Sequence, residues 1–314
     1  MRLCEDFAAF FPLSFPLFKS HQKTMSKLVS SARLFGGMVK QFTHESVVTK
    51  TPMRYSVFVP AGGKGSLPVL YYLSGLTCTD ENFTHKAGAA QHAAKHNIIL
   101  VAPDTSPRRT GEPLKGEDDE YDFGSGAGFY VNATQHPWAN QGGYSMDDYI
   151  NQELPAVVRE ALGGSDVVCP DRKSIFGHSM GGHGALTCAL RNPGTYQSCS
   201  AFAPISNPTH PKCAWGQKAF EGYLGSVEAG SAYDATELAH TYNGPSLNVL
   251  MDTGTGDNFY EQGQLLPEHF VAAAAKNSWL EVESRMQEGY DHSYNFISTF
   301  VGDHIDFHST FLNK

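Results

Sequence analysis

The sequence predicts an α/β protein: a mostly parallel central sheet with helices on both faces. Two observations carry this. Short apolar, β-rich runs alternate with helical patterns from Glu45 onward, and several runs, such as "PVLYYLSG" and "NIILVAPD", are nearly continuously apolar. Strands buried on both faces read this way, and strand–helix alternation is the signature of parallel sheets. With 314 residues, 41% of them hydrophobic, the chain can bury a sizeable core. No internal repeat or low-complexity linker divides it. We expect an extension over residues 1–24, disordered or targeting, followed by one catalytic domain over residues 25–314.

Taken in order, "SVVTK" and "MRYSVFVP" predict two strands joined as a hairpin. "PVLYYLSG", "NIILVAPD", "SIFGHS", "CSAFAPIS", "LNVLMDTG" and "LEVESRMQ" predict six more. Helical patterns span Ser145 to Leu162, Met180 to Arg191, Gln264 to Asn277 and Asn295 to Phe311. The first opens on Ser145, with Asp147 and Asp148 in its first turn. Thr105 to Gly143 lacks periodicity, and its aromatics Tyr121, Phe123, Phe129, Tyr130 and Trp138 predict a packed loop.

Lys and Arg total 23 against 32 Asp and Glu, a net charge of -9. Such a surface repels phosphate backbones and anionic lipid, which excludes nucleic acid and membrane as main partners. The six cysteines form no C-x-x-C pair or metal-like cluster and predict reduced thiols. The apolar "FAAFFPLSFPLF" near the N-terminus is too short to span a bilayer. It also lacks the basic n-region and clean cleavage site of a secretion signal.

Within "IFGHSMGGHGAL", Ser179 follows a strand-like run and precedes a helical one. Gly177-His178-Ser179-Met180-Gly181 is therefore a strand-to-helix turn, the setting of a strained nucleophilic serine. The plainer reading, a glycine turn capped by serine, does not need both flanks. A serine needs a base held by an acid, and on such a turn both partners follow it in the chain. Asp252 ends a strand, where it suits bracing; Asp257 lies beyond Gly-Thr-Gly and can reach across. Among the later histidines, His269 is inside a helix. His304 and His308, spaced i, i+4 without a third ligand, read as surface histidines rather than a metal pair. His292 occupies the loop after the last strand, where the base belongs. His178 diverges from Ser179 on the turn and reads as structural. Backbone N–H groups of Leu76, in "LSGLTCTDENF", and of Met180 form the expected oxyanion hole.

Together, "YYLSGLTCTDENF", "GEDDEYDFGSGAGFYVNAT", "GHSMGGHGALTCALRNPGTYQSCSAFAPISNP", "CAWGQKAF", "GDNF" and "GYDHSYNFISTF" resemble the S-formylglutathione hydrolase (esterase D) family of the α/β-hydrolase fold. The similarity runs from about Phe35 to near the C-terminus. It implies a triad of Ser179, Asp257 and His292, with no cofactor or metal. The implied reaction cleaves S-formylglutathione to formate and glutathione in formaldehyde detoxification. It also implies substrate contacts at Cys78, Trp215 and Lys218. The implied compartment is the cytoplasm, with an organelle left open by the extension and a homodimer left open as the assembly. A general short-chain carboxylesterase or acyltransferase of the same fold is the rival enzyme reading, and a non-catalytic binding protein the rival of another class. The acidic "GEDDEYDFGSGAG" lacks the spacing of a calcium loop, and no strand precedes its glycines, so it is no dinucleotide fingerprint.

Overall fold

A computed structural model describes residues 25–62 and 65–314; the expected 1–24 extension lies outside them. Among the described residues, nine strands form one sheet: β1 (Lys27–Leu34), β2 (Gly37–Glu45), β3 (Pro52–Val59), β4 (Leu67–Leu73), β5 (Ile99–Pro103), β6 (Val168–His178), β7 (Cys199–Phe202), β8 (Leu247–Gly254) and β9 (Leu280–Gln287). Their spatial order is β1-β2-β3-β5-β4-β6-β7-β8-β9. The first three strands and the β3/β5 junction are antiparallel. The six strands from β5 to β9 in that order run parallel. Every residue of β4, β5 and β7 is buried, the both-faces-covered state that their unbroken apolar runs require.

The helices are α1 (Asp80–Lys86), α2 (Ala89–His96), α3 (Met146–Asp148), α4 (Leu154–Leu162), α5 (Met180–Arg191), α6 (Ala214–Leu224), α7 (Ala235–Thr241), α8 (Asn258–Glu261), α9 (Pro267–Ala274) and α10 (Tyr294–Leu312). α10 packs on α2, and α5 packs on α7, while β4, β6 and β7 touch both α5 and α10. The two helical layers therefore cover opposite faces. Among the described residues, no helix is long and apolar enough to cross a membrane.

Three expectations are corrected. The strand before β3 is Gly37–Glu45, not "SVVTK", which forms the connection between β2 and β3. There Ser46 Oγ and the Val47 and Val48 amides donate to the buried Glu153 carboxylate, and these bonds hold the segment off the ladder. The helix expected over Ser145 to Leu162 is interrupted by a wide turn over Tyr149–Glu153. His304 and His308 are not on the surface but fully buried between α10 and the sheet. His308 bonds Ser198 and Ser200 Oγ, each at 2.8 Å, and His304 Nδ1 meets Ser200 Oγ at 2.8 Å. Serines on strand β7 and its approach supply the partners that make such burial tolerable.

The 105–143 segment is packed: Phe123, Phe129, Tyr130 and Trp138 are buried, whereas Tyr121 is exposed. Tyr130 is anchored by its hydroxyl donating to the Ser74 carbonyl at 2.8 Å. This brings the segment against the loop that follows β4.

Candidate active site

Ser179 joins β6 to α5 at φ 58° and ψ -118°, a strained conformation for a residue with a side chain. A Cβ on Gly177 would meet the Gly181 carbonyl oxygen at 2.1 Å, and one on Gly181 would meet the Leu73 oxygen at 1.9 Å. The G-x-S-x-G spacing is thus a packing requirement. The Ser179 amide donates to the Phe202 carbonyl at 2.9 Å, and its own carbonyl accepts from His183 N at 2.9 Å. The serine is pinned between strand and helix while its side chain opens into a cleft of about 290 Å³.

His292 lies on the turn from β9 to α10 and lines the same cleft. Its Nδ1 is 2.5 Å from Asp257 Oδ2. A carboxylate only accepts, so Nδ1 carries the proton and Nε2 is left as a base. Asp257 is fully buried. Its Oδ1 accepts from the Phe259 and Tyr260 amides at 2.8 and 3.3 Å, capping α8. The carboxylate is fixed by backbone donors on one side and orients the imidazole on the other.

Asp252 is engaged elsewhere. Arg285 Nε and Nη2 donate to its two oxygens at 2.6 Å each, and His304 Nε2 is 3.4 Å away. Burial pushes its pKa up, but His304 and Arg285 outweigh burial and hold it below the usual value. It braces the end of β8 against β9 and α10.

The loop after β4 passes directly over the serine: a Cβ on Gly75 would stand 3.3 Å from Ser179 Cβ. Leu76 follows it on the cleft wall. Met180 is the first residue of α5, where amides have no intrahelical acceptor. Cys78 also lines the cleft, and burial pushes its thiol pKa up. Trp215 forms part of the opposite wall, its indole N–H donating to Tyr121 Oη at 3.2 Å. Its ring packs on Phe259 at 4.7 Å, and Phe259 packs on His292 at 4.8 Å.

The structure does not bring Lys218 to the cleft. Its ammonium pairs with Glu120 and, at 2.6 Å, with Asp122. Both acids come from the acidic loop. Sequence reasoning missed Tyr121, Phe259 and Tyr294 as cleft residues. Position beside motif residues was their only signal. His178 is buried, and its ring packs on that of His292 at 4.4 Å. Burial foremost, then His292, drives its pKa well below the ordinary value, so a neutral ring sits against His292.

Comparison with known proteins narrows this geometry. A family model named Esterase, described as "Putative esterase", matches residues 46–307. With the parallel sheet and the strand–serine–helix turn, this makes the chain an esterase of the α/β-hydrolase fold. It is 53% identical over 289 residues to the S-formylglutathione hydrolase of Mus musculus, covering 91% of this chain and 99% of that one. The Arabidopsis thaliana S-formylglutathione hydrolase is 50% identical over 288 residues, covering 90% and 97%. A solved S-formylglutathione hydrolase from Agrobacterium tumefaciens superposes with a TM-score of 0.83 at 41% identity, covering 91% of this chain and 99% of that one. The chain belongs to the S-formylglutathione hydrolase family.

Proposed function

We propose that this enzyme hydrolyses the thioester S-formylglutathione, with Ser179 as nucleophile, His292 as general base and Asp257 as the acid that orients it. The observation that carries the catalytic assignment is the Asp257–His292 hydrogen bond beside a serine held on a strained turn. The substrate rests on relatives of that name at half identity or more over nine-tenths of the chain.

His292 Nε2 takes the Ser179 Oγ proton as Oγ bonds to the formyl carbon. The resulting oxyanion is held by the Leu76 and Met180 amides. The carbon–sulfur bond then breaks, and glutathione sulfur leaves with the proton returned by His292. Water attacks the formyl-serine ester, losing its proton to His292, and formate departs as Ser179 regains its hydrogen. The formyl carbon bears only hydrogen, so the crowding of Gly75, Leu76 and His178 around Ser179 favours it over longer acyl groups. Trp215 and Cys78 wall the acyl end, and the leaving group supplies most of the binding energy. The five described cysteines are free thiols, which suits a reducing compartment such as the cytoplasm.

The test is turnover of S-formylglutathione together with a fluorophosphonate label located by peptide mass spectrometry. The proposal requires turnover and a label on Ser179. A label elsewhere, or no turnover by labelled-competent enzyme, overturns it.

A further inference from the structure

A second cavity, of about 310 Å³, lies between α4, the turn before it, the middle of β4 and the amino-terminal half of β6. It is at the opposite end of the parallel strands from Ser179, which follows the carboxyl end of β6. Tyr71 forms its floor, and Arg159 from α4 and Lys173 from β6 form its walls. Both cations are half-buried. Among the described residues neither is in an ion pair. The Lys173 ammonium stands over the Tyr196 ring, 5.8 Å from its centroid.

Arg159 and Lys173 raise each other's cost of charge, and the acid that shares the cavity, Asp171, is exposed and in no ion pair with either. Lys173 shows it: burial foremost lowers its pKa, Asp171 on the exposed rim opposes this, and Arg159, a smaller influence than Asp171, lowers it further. Arg159 acts on Tyr71 as well, favouring the ionised form of a hydroxyl whose pKa burial raises. The three groups therefore share one field, and a bound dianion relieves it through charge-assisted hydrogen bonds. The rest of the lining is mixed: Asn151, Gln152 and Asp171 are polar, and Val69, Pro155 and Ala156 form an apolar part. A bare phosphate would leave that part empty, since cavities of roughly 300 Å³ and more hold organic ligands.

We propose that this cavity binds a small phosphate monoester, its phosphate held by Arg159, Lys173 and the Tyr71 hydroxyl and its organic part against Val69, Pro155 and Ala156. The site is separate from the catalytic cleft and shares no residue with it.

Isothermal titration calorimetry at fixed ionic strength tests this, with phenyl phosphate and inorganic phosphate as probes. Wild-type enzyme should bind phenyl phosphate saturably and more tightly than inorganic phosphate. Arg159→Gln and Lys173→Met should each weaken phenyl phosphate by about tenfold or more, while aryl-ester turnover, unchanged within about twofold, shows that both variants fold. Absence of saturable binding to wild type overturns the proposal. So does phenyl phosphate affinity retained in both variants, which would move its binding to another site. Equal affinity for the two probes overturns the monoester assignment in favour of free phosphate.

Discussion

Asp252 and Asp257 share the segment that leads out of β8, yet their surroundings divide their work. Both oxygens of Asp252 are taken by Arg285, whereas Asp257 spends one oxygen on backbone amides and turns the other to His292. Asp257→Asn should lower kcat by about 10⁴-fold, because the amide can donate to the histidine and favour the wrong tautomer. Asp252→Asn should leave kcat within about tenfold while costing about 3 kcal/mol in denaturant unfolding, since it unpairs a buried carboxylate's cations. The reverse ranking in kcat would make Asp252 the catalytic acid. Cys78 gives a second residue-scale expectation. Cys188, Cys199 and Cys213 are buried, and Cys169, partly exposed like Cys78, lies outside the cleft, so inhibition by a thiol reagent should act through Cys78, persisting in Cys169→Ser and disappearing in Cys78→Ser. Equal inhibition of that variant would place the sensitive thiol elsewhere. Position along the chain made Ser179, Asp257 and His292 legible as candidates, because strand ends and loop order survive in one dimension. The capture of Lys218 by Glu120 and Asp122 did not, because a partner 96 residues away leaves no local mark.

At the scale of elements, the turn at Ser179 shows a motif as packing. Its two glycines face backbone oxygens that no side chain can move. Gly181→Ala should destabilise the fold by about 3 kcal/mol and lower activity, whereas Gly111→Ala, with nothing near its Cβ, should be neutral in thermal unfolding. A neutral Gly181→Ala would mean the turn is looser than drawn. The central strands were legible because apolar runs buried on both faces need no partner to identify them. "SVVTK" misled because β-branched residues can also line a connection when a distant carboxylate, Glu153, binds its amides. Strand β1 escaped for another reason. All but its last residue are exposed, so it carries no apolar pattern to read.

For the whole molecule, buried histidines set the response to acid. His178 and His308 are held well below the ordinary histidine pKa, chiefly by burial, and His183 is pushed down to about 4 by the same cause. Unfolded, each titrates near 6.5. Below that pH the unfolded chain takes up protons that the folded chain refuses, so stability is full above about 6.5 and falls as pH drops. The loss is about 1.4 kcal/mol per pH unit for each such histidine. Melting temperature should therefore decline between pH 7 and pH 5; a flat profile would mean these rings accept protons in place. The His304–His308 pair was read as exposed because i, i+4 spacing marks a helix face without saying which way it turns. The sheet's serines settle that only in three dimensions.

The central claim, a serine esterase whose cleft selects a formyl thioester, is tested most directly by comparing kcat/KM for S-formylglutathione and 4-nitrophenyl acetate in the same preparation. We predict a preference of about 100-fold or more for S-formylglutathione, with both activities lost together in Ser179→Ala. A value for the aryl ester equal to or above that for the thioester would contradict it and leave a general short-chain esterase.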